Sequence, residues 1–356
     1  MRYLIVHTAP KRYIEKYRSS ISGGNFSYNL IDAGIFDKVY SILPSNIQGY
    51  NDELEIDGFE IAYSKLRGRN FLLRVLGCVV EQIKVFRKIE KNSTVWLYNI
   101  CILNSVLYRL LRLFKRSVKI YTILADFTPG EKINDRFLPL VNKSDGLITL
   151  SDSTLFTNTN RVILPGIVPV EKTYPQISIP VKKNFLISGA LREEISCISM
   201  LLDAFAEMPD LELNISGRFK GTEKMRSYTE RYQNIKYHGV VSFDEFKNLL
   251  DSNTFILSTR DPSFPENQCN FPSKILEALL HNRIIVSSIH YPQLDGIKYF
   301  EVPIDKIDFK ATIRRIVSLY EDELMKYSNQ SQIVKKMFSA KAWLESIVNI
   351  ENSTMK

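Results

Sequence analysis

Short apolar, β-prone runs alternate along the chain with stretches in which apolar residues recur at helical spacing. In the first half the runs cover residues 3–6, 39–43, 94–98, 120–124 and 146–150. Strands alternating with helices imply a parallel sheet with helices on both faces. Between Pro165 and Pro180 the prolines recur at 165, 169, 175 and 180 with little periodic apolar pattern, which reads as a linker. The alternation then resumes, with strands predicted over 185–188, 211–216, 236–240, 254–258 and 284–287. Helices are predicted between them, through Met200, Leu201, Ala204 and Phe205, over 244–250 and over 273–280. Ser242 followed by Glu245 forms a capping-box pattern, and Phe246, Leu249 and Leu250 give the helix that follows a buried face. The pattern therefore predicts an α/β chain of two doubly wound domains. A Rossmann-like domain spans 1–168, a linker 169–183 and a second Rossmann-like domain 184–335. A terminal helix over 336–356 is expected to pack back on the first domain.

With 356 residues, 45% of them hydrophobic and 24% charged, each domain can bury its own core. The longest apolar stretches are interrupted, one by Arg74, Glu81 and Lys84 and the other by Arg109 and Arg112, so no segment reaches the roughly 18 uncharged apolar residues of a membrane span. The first ten residues lack the basic and long apolar regions of a signal peptide. The four cysteines are scattered without CxxC spacing, and the histidines form no ligand pattern. A cytoplasmic protein with reduced thiols and no metal is expected.

Charge sharpens the picture through its distribution. Residues 1–170 carry 23 Lys and Arg against 15 Asp and Glu, whereas 171–356 carry 24 against 24, so the whole net charge of +8 lies in the first half. Residues 62–119 hold 13 basic residues and two acids, Glu81 and Glu90, interleaved with Leu, Val, Ile and Phe. Such a surface suits an anionic membrane or substrate, and an ordinary solvated helix face is the alternative. Nucleic acid is not expected, because the basic residues accompany aliphatic rather than aromatic side chains.

The most informative segment runs Asn270-Phe271-Pro272-Ser273-Lys274-Ile275-Leu276-Glu277 into a helix that precedes the strand 284–287. A Pro-Ser pair opening a helix offers free N–H groups and the positive dipole end to an anion. Lys274 in the first turn opposes that dipole by itself and makes sense if a diphosphate sits there. Glu277, one turn on, can accept hydrogen bonds from ribose hydroxyls. The alternative is a capped amphipathic helix with solvated Lys and Glu.

This block resembles the retaining family-4 glycosyltransferases of the GT-B fold, many of which carry Pro-Ser-Lys-hydrophobic-hydrophobic-Glu before a strand ending in small residues. The similarity extends through Ile187-Ser188-Gly189-Ala190-Leu191, Leu201-Leu202-Asp203-Ala204-Phe205, Leu213-Asn214-Ile215-Ser216-Gly217 and Tyr237-His238-Gly239-Val240-Val241-Ser242. Looser matches in the first half are Ser22-Gly23-Gly24, residues 145–151 and residues 162–166. The resemblance implies two Rossmann-like domains facing a cleft, an acceptor held by the first and a nucleotide-sugar by the second. Gly24, Gly189, Arg192, His238, Val240, Phe271, Pro272, Ser273 and Glu277 are then the donor contacts.

The chain departs from the family's pattern at two places. The first of the family's two glutamates, seven residues apart, falls on Cys269, with Glu266 the nearest substitute for contact with the donor sugar. Ala190 and Ile195 stand where the family has a phosphate-binding Arg and Lys. Lys274 and Arg218 are expected to replace them, with Arg192 in reserve. Asp126, just past a predicted strand, lies at the sheet edge where open α/β sheets bind ligands and is a candidate to contact the acceptor or act as a base. The expected function is transfer of a sugar, without metal or cofactor and with retention. The acceptor is expected to be a glycan linked to a polyprenyl diphosphate, in bacterial surface polysaccharide assembly at the inner face of the membrane. A GT-B epimerase and a non-catalytic sugar-nucleotide-binding paralogue are the competing readings.

Overall fold

The computed structural model describes residues 1–9, 21–43, 55–56, 59–63, 70–219 and 221–354. The chain divides into two compact units, Met1–Pro169 with Phe338–Lys356, and Val170–Met337.

The first unit is built on an eight-stranded sheet in the order β3-β4-β2-β1-β5-β6-β7-β8. Its elements in chain order are β1 (Arg2–Val6), α1 (Ile21–Asp32), β2 (Lys38–Leu43), β3 (Glu55–Ile56), β4 (Phe59–Tyr63), α2 (Phe71–Lys88), β5 (Thr94–Tyr98), α3 (Ser105–Phe114), β6 (Lys119–Leu124), α4 (Lys132–Asn142), β7 (Gly146–Thr149) and β8 (Arg161–Ile163). Among the described residues only the β3–β4 pairing is antiparallel. The strands foreseen in this unit form, while β3, β4 and β8 are additional; β3 and β8, with two and three residues, are too short for a clear apolar pattern. Strand order reverses at β1, which has β2 on one side and β5 on the other.

The chain's last helix, α14 (Ala340–Ser353), completes this unit. Trp343 is fully buried and donates from Nε1 to Gly166 O at 2.7 Å. The Glu351 carboxylate accepts from Arg2 Nε and Trp96 Nε1 at 2.9 and 3.0 Å. The helix lies so close to β7 that a Cβ on Gly146 would stand 2.3 Å from Ile350.

The second unit holds a six-stranded, wholly parallel sheet in the order β11-β10-β9-β12-β13-β14. Its elements are β9 (Asn184–Leu191), α5 (Glu193–Ser196), α6 (Ile198–Ala206), β10 (Glu212–Phe219), α7 (Thr222–Arg231), β11 (Ile235–Tyr237), α8 (Phe243–Ser252), β12 (Phe255–Ser258), α9 (Pro265–Cys269), α10 (Lys274–Leu280), β13 (Ile284–Ser287), β14 (Phe300–Glu301), α11 (Lys306–Val317), α12 (Glu321–Met325) and α13 (Ser331–Phe338). Phe185, Phe205, Phe255 and Phe309 pack in one core, with Phe185 and Phe255 stacked at 4.7 Å between ring centroids. The capping box is present: Ser242 Oγ accepts from Glu245 N, and the Glu245 carboxylate accepts from Ser242 N at 2.8 Å. Here the order reverses at β9, flanked by β10 and β12. The β9–β12 pairing covers only Phe185↔Phe255 and Leu186↔Ile256, so beyond Leu186 the two strands part.

The segment entering this unit is tied to the turn after α10. Arg283, 3% exposed, donates to Pro175 O at 2.6 Å, Asn282 Nδ2 donates to Tyr174 O at 3.3 Å, and the Tyr174 ring lies 4.1 Å from that of His281.

Candidate functional site

In open parallel sheets, ligands bind beyond the carboxyl ends of the strands where the strand order reverses. Each unit has one such place.

In the second unit it lies between β9 and β12. Gly189 and Gly217, side by side on β9 and β10, adopt φ of +122° and +136°, a region closed to L side chains. A Cβ on Gly217 would fall 2.0 Å from Gly189 O, and one on Gly189 would stand 3.1 Å from Lys274 Nζ. The two glycines therefore keep a path of bare backbone open beside the lysine. Lys274 Nζ donates to Ser188 Oγ at 3.1 Å and lies 5.1 Å from the centre of the Phe246 ring. Burial pulls this ammonium down to about pKa 8; Arg260 adds to the effect and Glu277 opposes it. Burial also pushes the Glu277 carboxyl up, against His281, Lys274 and Lys247. Neither Lys274 nor Glu277 has an ion-pair partner among the described residues. A half-buried cation and a half-buried carboxylate one helical turn apart, both free to bind, can serve a phosphate and a pair of hydroxyls.

Arg192, in the turn after β9, forms a two-pronged ion pair with Glu266, its Nη2 lying 3.0 and 2.9 Å from the two carboxylate oxygens. Arg260, two residues beyond β12, donates from Nη1 to Asn267 Oδ1 at 3.1 Å. Its backbone is held by Ser288, whose Oγ accepts from Arg260 N and donates to Arg260 O, both at 2.6 Å. The sequence reading passed over Arg260, although a cation just past a predicted strand is the same signal that singled out Asp126.

The remaining predicted donor contacts are more scattered. Arg218 is exposed on β10, in register with Ala190, whose side chain lies outside the described set. His238 is turned to Asn214: the Asn214 amide donates to Glu212 and Asn253, so its Oδ1 accepts from His238 Nε2 at 2.8 Å. Val240 is exposed, Phe271 is buried edge-on against Tyr291, and Cys269 is buried. Pro272 is half-buried and Ser273 exposed. Ser273 stands at the N-cap of α10 in helical conformation and makes no side-chain cap, and α10 itself is seven residues long. The helix-terminus argument made for this segment thus has little helix behind it, and the polar side chains carry the site. A cavity of about 500 Å³ on the other side of Tyr291, lined by His290, Tyr299, Glu301, Lys298 and Tyr327, holds none of the predicted site residues.

In the first unit the corresponding place lies between β1 and β5. His7 follows β1, and Asn99, with φ +51°, follows β5. Asn104 Nδ2 donates to Asn99 O and His7 Nε2, while its Oδ1 accepts from Cys101 N. His7 Nε2 is therefore the acceptor, and Nδ1–H donates to Ile42 O at 3.1 Å. Both ring nitrogens are occupied. Asn99 Oδ1 accepts from Ala125 N at 2.7 Å, fixing the turn that exposes Asp126 beyond β6. Asp126 and burial together raise the neighbouring Tyr98 hydroxyl, burial being the larger cause. Gly24 lies buried in the first turn of α1, which begins at Ile21.

The basic stretch 62–119 is partly consumed internally, and residues 64–69 lie outside the described set. Lys84 pairs with Glu81, Lys88 with Glu60 and Arg112 with Asp145, and Lys115 caps the carbonyls of Phe86 and Ile89. Phe71, Leu72, Leu73 and Leu76 at the start of α2 are exposed. Among the described residues no helix is long and apolar enough to cross a membrane.

No family model matches the chain, and no curated protein matches it. Solved structures do. Sucrose-phosphate synthase from Thermosynechococcus elongatus is similar at 13% identity and TM-score 0.69, covering 99% of this chain and 98% of its own. HepE from Anabaena, solved in complex with UDP-glucose, is similar at 14% identity and TM-score 0.66, covering 99% and 100%. The α,α-trehalose-6-phosphate synthase of Burkholderia multivorans is similar at 10% identity and TM-score 0.66, covering 99% and 97%. The likeness runs over whole chains and both sheets, and it shows that this chain has the two-domain GT-B fold of Rossmann-like units.

Proposed function

We propose that the protein is a glycosyltransferase that takes its sugar from a nucleotide-sugar donor bound by the second unit. The observation that carries this reading is the half-buried pair Lys274 and Glu277, free of ion-pair partners, beside the glycine-lined crevice between β9 and β12. An ammonium there attracts a diphosphate, and a carboxylate one turn away accepts from vicinal ribose hydroxyls. The complex of HepE with UDP-glucose shows a nucleotide-sugar on this fold at low identity. In the reaction the bond from the anomeric carbon to the diphosphate breaks and a bond to the acceptor hydroxyl forms. Lys274, with Arg218 at the crevice rim, offsets the negative charge that develops on the leaving diphosphate. This charge compensation calls for no metal. Asp126 receives the acceptor hydroxyl.

Retention, with attack from the face the diphosphate leaves, rests on the resemblance to the family-4 enzymes. A glycan acceptor on a polyprenyl diphosphate, met at the inner face of a bacterial membrane during surface polysaccharide assembly, is supported by the exposed apolar start of α2 and the exposed Arg87, Lys91, Arg109 and Arg116. The buried Cys269 at the family's first glutamate favours a second reading, a non-catalytic sugar-nucleotide binder. Thermal stabilisation by a panel of UDP-, GDP- and dTDP-sugars tests donor binding, and release of free sugar from the stabilising donor separates the two readings. Stabilisation by none of them overturns both.

A further inference from the structure

Two cations stand at the crevice of the second unit, and among the described residues neither forms a close ion pair. Arg192 is neutralised by Glu266. Arg260 donates to the neutral Asn267 amide and shares the field of Glu266 with Arg192, and Lys274 donates to the Ser188 hydroxyl and lies over the face of Phe246. The acid on the helix of Lys274 is Glu277, one turn on, which makes no close ion pair with it and whose carboxyl burial pushes up against the pull of His281 and Lys274. Arg260 follows β12 and Lys274 Nζ bonds to Ser188 on the neighbouring β9, near enough for the Arg260 charge to be felt at the lysine, and both are partly withdrawn from water. Like charges held together in a low-dielectric crevice cost free energy that a bound anion recovers. The chain also fixes Arg260 with unusual care: Ser288 at the end of β13 grips its backbone N–H and C=O, so the guanidinium projects from a rigid strand end.

We propose that Arg260 and Lys274 form a two-cation anion site between β9 and β12. There Arg260 takes up the phosphate-binding task vacated at Ala190 and Ile195. That the anion is the diphosphate of a nucleotide-sugar rests on the glycosyl-transfer reading above; the anion site itself does not. A planar guanidinium presents two parallel N–H groups to one phosphate, and the lysine supplies a point charge to the other.

The test titrates inorganic pyrophosphate, and separately UDP, GDP and ADP, into the full chain and into Arg260→Gln and Arg260→Lys by calorimetry at low salt. Melting temperatures without ligand serve as the folding control. Wild type is expected to bind pyrophosphate, Arg260→Gln to bind it about tenfold or more weakly, and Arg260→Lys to fall between them at an unchanged melting temperature. Equal affinity in wild type and Arg260→Gln, or no binding of pyrophosphate by wild type, overturns the site. If Arg260→Gln melts early, Arg260→Lys decides: full wild-type affinity in a chain that keeps the charge but loses the planar fork overturns the guanidinium's role. Arg260-dependent binding of pyrophosphate with no binding of any nucleoside diphosphate leaves the anion site standing and removes the glycosyl-transfer reading.

Discussion

The two sheet edges share a topology and differ in what they do with charge. The first half of the chain carries all of the net +8, yet at its edge the Asn104 amide, Asn99 and His7 bond to one another and to backbone. The second half is neutral in sum, yet its edge holds two cations that form no close ion pair among the described residues and a path of bare backbone beside them. Net charge counts side chains wherever they point. Binding depends on the few that are desolvated and left unpaired.

The largest expected effect breaks the open backbone of the second edge. Gly217→Ala places a Cβ on Gly189 O in a left-handed conformation, and strain plus displacement should destabilise the second unit by roughly 2–5 kcal/mol. Gly34→Ala, at φ +65° in the left-handed helical region, meets nothing within 4 Å and should cost only about 1–2 kcal/mol. Urea unfolding of both variants measures the gap, and equal losses would show that the close approach of β9 and β10 matters little.

Next in size are the charges themselves. Lys274→Ala and Glu277→Gln should each weaken donor binding about tenfold or more, through loss of a charge-assisted hydrogen bond of about 1.5–3 kcal/mol, while melting temperatures change little. Asp126→Asn, on the other edge, should lower sugar transfer and leave donor affinity within about twofold. Loss of donor affinity in Asp126→Asn would erase the division of labour between the edges.

Much of this was legible in the sequence. The strands foreseen in each half, the capping box at Ser242 and the doubly wound pattern all follow from local periodicity and capping, which need no knowledge of neighbours. That Lys274 and Glu277 share one short helix was legible too, because residue type and helical spacing put both there. Arg260 escaped because its importance arises from Ser288, Ser188 and Glu266, on three separate elements, and no local pattern joins them. The anion-binding helix terminus at Pro272-Ser273 was overdrawn for a related reason: a proline and a serine mark a helix start, but the length of α10 is decided by where the chain must turn back into β13. Similarly, 13 basic residues looked like one surface until Lys84, Lys88, Arg112 and Lys115 found partners within the fold.

A smaller effect sharpens the comparison through pH. The Lys274 ammonium is held near pKa 8, below its ordinary 10.5. In the unliganded protein the cost of the buried charge is fully present below about pH 8 and is relieved as pH rises from there towards 10.5, so this group's contribution to stability increases with pH. Binding of a diphosphate needs the charged form and should weaken above about pH 8. Over pH 7 to 9.5 this group should make the melting temperature rise without nucleoside diphosphate and stay nearly level with it, so the stabilisation by ligand shrinks above about pH 8, and the difference in slope should vanish in Lys274→Met. Parallel slopes would show that the lysine does not meet the anion.

The smallest effect is expected at the first unit's surface. With four of its basic residues engaged internally, the region around α2 and α3 keeps Arg87, Lys91, Arg109 and Arg116 exposed, together with the apolar Phe71, Leu72, Leu73 and Leu76. Each exposed cation near an anionic bilayer is worth about 1 kcal/mol, and the apolar side chains add burial that salt does not screen. Binding to vesicles with anionic lipid should therefore be modest, weakened but not abolished at high ionic strength. Replacing Leu72 and Leu73 with Ser should make the remaining binding fully salt-sensitive, while replacing Arg87 and Arg116 with Gln should leave a salt-insensitive remainder. If wild type ignores anionic vesicles at low salt, the charge excess of the first half serves solubility or a soluble acidic acceptor. The unpaired cations of the second edge would then be the only ones in the comparison with a ligand to meet.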